Sequence, residues 1–217
     1  MRRMGKALRS FVLSEGPLVP ILALAFVIMA GLALWVFLTY RLPGDGSAEA
    51  GFARDMMIHH AQAVEMAEIV RDKTQSEDIK TLAPDTALTQ QAQIGQMQGW
   101  LQVWGLSPTG SEPAMSWMGE PTDGLMPGMA APEDIQQLRD APPEEADVLF
   151  LQLMIPHHQA ALQMTEAILN RTDRPEVETL AKAISASQQS EIENMEQMLQ
   201  DRGASMPEEP EMHMEHM

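Results

Sequence analysis

The sequence predicts an all-α protein: a four-helix bundle made of two repeated αα-hairpins, preceded by one transmembrane helix. Three observations carry this. Positions 16–40 contain no charged residue, and ILALAFVIMAGLALWVFLTY fills 21–40. A long block then recurs at a constant offset of 98 residues. Within each copy the apolar residues follow 4-3-4-3 spacing, which holds them on one face of a helix.

The uncharged run is long enough for a helix to span a bilayer core, which takes about 20 apolar residues. Trp35 and Tyr40 fall near its end, where amphipathic rings favour the interface. Arg2, Arg3, Lys6 and Arg9 precede the run and acidic sequence follows it. The positive-inside rule therefore places the N-terminus in the cytoplasm and the C-terminal domain outside it, on a single-pass anchor of the cytoplasmic membrane. A cleaved signal sequence is the alternative, with Ser47-Ala48-Glu49-Ala50 as a small-residue cleavage site. Apolar cores of signal peptides run about 7–15 residues, shorter than this one, which favours the anchor. Both readings give the same compartment.

The repeat aligns FARDMMIHHAQAVEMAEIV, from Phe52, with FLQLMIPHHQAALQMTEAI, from Phe150. The offset pairs Met56 with Met154, His59-His60 with His157-His158, and Met66 with Met164. It continues without a gap through Gln90-Gln91 and Gln188-Gln189 to Gly105 and Gly203. Each unit reads as two helices: Phe52, Met56, His59, Ala63 and Met66 share one face, and Gln90, Ile94, Met97, Leu101 and Trp104 share another. Gly105 and Gly203 suit left-handed caps, while Asp173 with Pro175, and Pro142-Pro143-Glu144-Glu145, suit helix starts. Pro84 and Pro156 fall inside expected helices and should kink them or shift their ends.

The expected organisation is a basic cytoplasmic segment over 1–16, an anchor over 17–40 and a bundle over 48–203. The bundle comprises units 48–105 and 146–203 with a Pro, Gly and Met-rich linker over 106–133. A Met/His-rich tail occupies 204–217.

Composition narrows the chemistry. The chain has 217 residues and no Cys, which excludes disulfides and thiolate metal sites. A net charge of -17 repels nucleic acid, so no nucleic-acid partner is expected. Met is abundant at 19 residues, while aromatic residues make only 5%. A Met stripe at helical spacing is ordinarily soft core. Paired histidines flanked by Met, repeated as Met-x2-His-His-x5-Met, are harder to explain by packing.

The candidate metal ligands in the helices are Met56, His59, His60, Met66, Met154, His157, His158 and Met164. His60 is rotated about 100° from His59, so one should face the core and the other a neighbouring helix or water. Imidazole with thioether suits Cu(I), and by extension Ag(I), because soft sulfur favours soft ions. A compartment in which thiols oxidise is a reason to use Met in place of Cys. The linker adds Met115, Met118, Met126 and Met129, and the tail adds Met212, His213, Met214, His216 and Met217. Neither segment is expected to fill a core, and the tail reads as a metal-capture segment.

At these residues the chain resembles the DUF305 family. The resemblance rests on FARDMMIHHAQAVEMA, Met126-Pro127-Gly128-Met129 and FLQLMIPHHQAALQM, and covers about 48–203. It implies a ferritin-like four-helix bundle, with some members binding copper or silver outside the cytoplasm, and it puts the family motif on His59, His60, Met66, His157, His158 and Met164. Two departures stand out. Asp55, one turn from His59 and able to orient it, is Leu153 in the second unit. The family tends to have Glu before the Ile of the second helix, as in Glu191-Ile192, but Gln93-Ile94 lacks that carboxylate. The two sites are therefore expected to differ in charge and affinity.

The expected function is extracytoplasmic copper binding in sequestration, handling or resistance, without catalysis, with a metal-handling protein as a possible partner. A di-iron enzyme would need Glu-x-x-His pairs, and the chain has none. No nucleophile constellation for hydrolysis is visible. The rival is a structural or protein-interaction bundle that uses Met for plasticity. Whether the two HH pairs share one site or form two stays open.

Overall fold

The computed structural model describes residues 18–39 and 41–205. The chain divides into two units between Leu42 and Pro43. In the first, helix α1 spans Leu18–Thr39. Its stretch Leu18–Trp35 is long and apolar enough to cross a membrane, and none of it is buried. The basic N-terminal cluster and Tyr40 lie outside the described residues.

The second unit is helical, with no strand among the described residues and one isolated bridge, Ala114 to Thr122. Helices α2 (Ala48–Arg71) and α3 (Glu77–Trp104) form the first hairpin. A short helix α4 (Pro132–Asp140) follows the linker, and α5 (Pro143–Leu169) and α6 (Pro175–Asp201) form the second hairpin. Helix ends obey the repeat: Arg71 and Leu169 close the first helices, and Glu77 and Pro175 open the second. Pro132, Pro143 and Pro175 each sit in a first turn, where a missing N–H costs nothing.

The expected glycine caps are present. Gly105 (φ 73°) and Gly203 (φ 64°) take the left-handed conformation. Beyond them Leu106 N donates to Leu101 O at 2.8 Å and Ala204 N to Leu199 O at 3.1 Å, the closing bond of a Schellman motif. Both internal prolines, Pro84 and Pro156, lie within continuous helices.

The helix pairs α2–α3 and α5–α6 pack most extensively, and α2 crosses α5 through the middle of the bundle. Two apolar clusters flank that crossing. One joins Met66 of α2 with Met154 of α5, and the other joins Met56 with Met164. Antiparallel crossing explains the exchange: the residue before one HH pair meets the residue after the other.

The linker departs from the expectation that it lies apart from any core. Met115 and Met126 are buried in the same cluster as Met56 and Met164, because the segment folds back over α2 and α5. Asp55 holds it there, accepting from Met115 N and from Trp117 Nε1, both at 2.8 Å. Helix α4 was invisible to periodicity, since only Ile135 and Leu138 bury along its nine residues. Its ends are fixed by polar contacts: Asp134 accepts from Ala131 N at 3.1 Å, and Lys73 donates to the carbonyls of Leu138 and Arg139.

Candidate metal centre

Helix α2 carries His59 and His60, and α5 carries His157 and His158, at the point where the two helices cross. All four side chains are fully buried. Their rotation about the helix axis sends adjacent rings to different partners, as the sequence requires. His59 and His157 face each other, ring centroids 3.7 Å apart with planes at 34°. His60 and His158 instead reach the second helix of their own hairpin.

Those outward contacts obey the repeat. His60 Nε2 lies 2.7 Å from Gln93 Oε1, and His158 Nε2 lies 3.0 Å from Glu191 Oε2. Glu191 also accepts from Thr86 Oγ1 at 2.9 Å. His59 Nε2 lies 3.3 Å from the Pro127 carbonyl. Each of these oxygens accepts, so each Nε2 carries the proton and donates. The Nδ1 atoms of His59, His60 and His158 are buried without a partner, while the His59 backbone carbonyl faces the fully buried His157 ring and opposes the effect of its burial.

Burial in an apolar interior disfavours charge on His59, His60 and His157. Desolvation lowers the His59 pKa to about 4, against the opposing pull of the Pro127 carbonyl. It lowers His60 to about 3, aided by neighbouring His59. His157 lies well below its ordinary value for the same reason. Neutral imidazole with a free lone pair is the form in which histidine binds a metal.

The loop Met126–Met129 roofs the crossing. Gln62 clamps it to α2, donating to Ala130 O at 2.9 Å and accepting from Ala130 N at 2.7 Å. Gly128, at φ +74°, lies so close to α5 that a Cβ there would stand 2.6 Å from Pro156 O and Ala160 Cβ. Only glycine fits so close a backbone approach with that φ. The sequence shows Met-Pro-Gly-Met as a motif, but nothing in it reveals the clamp by Gln62 or the contact through Pro127.

Met56, Met66, Met154 and Met164 are buried in the two clusters beside the histidines. Asp55 does not orient His59, as its spacing of one turn suggested; both its bonds hold the linker. The equivalent position of the second unit is Leu153. Among the described residues no group of three or more His, Asp or Glu is placed to hold a metal unaided. A centre here would therefore combine few imidazoles with thioethers. The tail candidates Met212, His213, Met214 and His216 lie outside the described residues.

The DUF305 family, whose description is a domain of unknown function, matches residues 49–199. The chain belongs to the DUF305 family. Its DUF305 domain is similar to a Streptomyces coelicolor DUF305 protein of known crystal structure, with 43% identity and a TM-score of 0.72, covering 75% of this chain and 98% of that one. A DUF305 fragment from Deinococcus radiodurans is 37% identical with a TM-score of 0.60, covering 71% and 96%. The protein CopM in its Cu(I)-bound form is 29% identical with a TM-score of 0.54, covering 72% of this chain and 97% of CopM. CopM has also been solved in Ag-bound and Cu(II)-bound forms. These neighbours are ferritin-like DUF305 bundles. Uncharacterized protein L153 of Acanthamoeba polyphaga mimivirus is 45% identical over 56 residues, which is 26% of this chain and 37% of that protein. This chain thus spans about a third of the length of that curated relative.

Proposed function

We propose that this DUF305 domain binds a soft metal ion, Cu(I) first and Ag(I) second, at the crossing of α2 and α5. One observation carries the reading: four buried imidazoles, three of them tied at Nε2 with Nδ1 left free, lie between two thioether-rich clusters. Metal-bound histidine ordinarily donates its second N–H to an oxygen, and Pro127, Gln93 and Glu191 supply that oxygen for three of the rings. The copper- and silver-bound CopM structures support the choice of metal.

The role is sequestration, handling or resistance, with the metal as cargo and no catalysis, on the outer side of the cytoplasmic membrane. Helix α1 as anchor and the basic residues ahead of it support that location. A metal-handling protein is the expected partner, and the tail residues Met212, His213, Met214 and His216 serve metal capture.

Titration of the full chain in detergent with Cu(I), in competition with bicinchoninate, tests this. Saturable binding that His59→Ala with His157→Ala abolishes is expected. Binding unchanged in that double variant would remove the helical site, and binding lost only on deleting 206–217 would move it to the tail. The complete burial of Met56, Met66, Met154 and Met164 is equally what a bundle filled with Met for packing alone would have, and absence of binding would favour that reading.

A further inference from the structure

A metal ion at the crossing brings positive charge into an interior whose rings do not balance it. His59, His60 and His157 are held neutral by burial. A cation among neutral groups in such an interior is costly unless an opposite charge stands close by. Among the described residues, the contacts of the four rings include one carboxylate: Glu191 Oε2 lies 3.0 Å from His158 Nε2.

The other acidic groups of the domain that are buried or lie near Glu191 serve elsewhere. Asp55 holds the linker. Asp147 lies ten residues before His157 on α5, about 15 Å along the axis. Asp85 and Glu193 share a groove with Glu191 between α3 and α6, but both are exposed, so water and salt screen them. Asp78 of the same groove is bonded through both oxygens to Arg202.

Glu191 is fixed in place, accepting from Thr86 Oγ1 at 2.9 Å, and its side chain is only 18% exposed. The equivalent bond of the first hairpin ends on an amide, with His60 Nε2 2.7 Å from Gln93 Oε1. The two outward bonds therefore match as hydrogen bonds and differ by one charge.

We infer that Glu191 is a positioning residue that sets the charge of the ion the centre accepts. Acting through the His158 ring, its carboxylate compensates one positive charge. That suits a monovalent soft ion and leaves a divalent ion with one charge unbalanced. The inference rests on the metal-binding reading.

Ag(I) and Cd(II) test it, because they are isoelectronic closed-shell ions that both accept soft donors and differ in charge. The full chain in chloride-free detergent buffer is titrated with each, read at the site that His59→Ala with His157→Ala removes. Glu191→Gln keeps an acceptor oxygen for His158 and Thr86 but removes the charge. Its Ag(I) affinity should fall about tenfold or more, the usual effect of altering such a partner, with the metal-free melting temperature retained. Gln93→Glu in that background returns one carboxylate at the equivalent bond and should restore Ag(I) affinity. Gln93→Glu alone supplies two carboxylates and should shift the ratio of affinities toward Cd(II). A folded Glu191→Gln variant that binds Ag(I) as wild type does overturns the inference and leaves the metal reading standing, as does an unchanged ratio in Gln93→Glu. A wild-type chain with no site lost in the double histidine variant overturns both. Should Glu191→Gln not fold, the ratio measured in Gln93→Glu decides.

Discussion

His59 and His157 occupy equivalent positions of the repeat and meet ring to ring, with centroids 3.7 Å apart. Two imidazoles so close inside an apolar interior cannot both be protonated, and burial holds even one proton off. The bundle therefore folds around neutral rings.

Stability should fall as pH drops below about 6.5, the ordinary histidine value. The unfolded chain then takes up protons that the folded rings refuse, down to about pH 4 for His59 and about pH 3 for His60. Each such ring contributes a slope of about 1.4 kcal/mol per pH unit, stability rising with pH. Urea unfolding at pH 7.5, 6 and 5 checks this, and the slope should shrink when His60 is replaced by Gln.

Cu(I) should stabilise the bundle. A ligand held only by the folded state adds about 2.7 kcal/mol at a hundred times its dissociation constant. Thermal unfolding followed by circular dichroism should show an upward shift on loading, absent in His59→Ala with His157→Ala.

Gly128→Ala should destabilise by about 1–3 kcal/mol, since the new methyl meets Pro156 O and Ala160 Cβ and must be held at positive φ. The Pro127 carbonyl would move with the loop and loosen its bond to His59. Chemical denaturation measures the first effect and Cu(I) affinity the second.

Asp55→Ala should release the linker and leave the histidines in place, because its bonds go to Met115 and Trp117. Hydrogen exchange at Met115 should accelerate, and Trp117 fluorescence should shift to the red. Cu(I) affinity changed as strongly as by loss of His59 would instead return Asp55 to the site.

The four helices and the four histidines were legible in the sequence because both are periodic: apolar spacing marks the helix faces, and the offset of 98 marks the second copy. Rotation about the helix axis already required adjacent histidines to part. The linker was not legible. Met115 and Met126 looked like ligands without a core, yet they bury because Asp55, Gln62 and Gly128 bind the segment down. The bonds of Asp55 and Gln62 join residues 60 and 68 positions apart, Gly128 meets a different helix at Pro156 and Ala160, and no local pattern encodes any of these contacts. Gln90 was legible as part of the face that Met97, Leu101 and Trp104 share, and the structure buries it and its repeat equivalent Gln188.

The repeat exchanges His59 with His157, which face each other, and this approximate dyad gives the domain the geometry of an isologous dimer closed into one chain. In a true homodimer every change is made twice, so the two faces of the contact stay identical. A covalent tandem lifts that constraint. One half keeps Gln93 while the other has Glu191, and Asp55 of the first half, which holds the linker, is Leu153 in the second. The same dyad can thus hold two chemically different halves around one pair of rings, which no pair of identical subunits can offer.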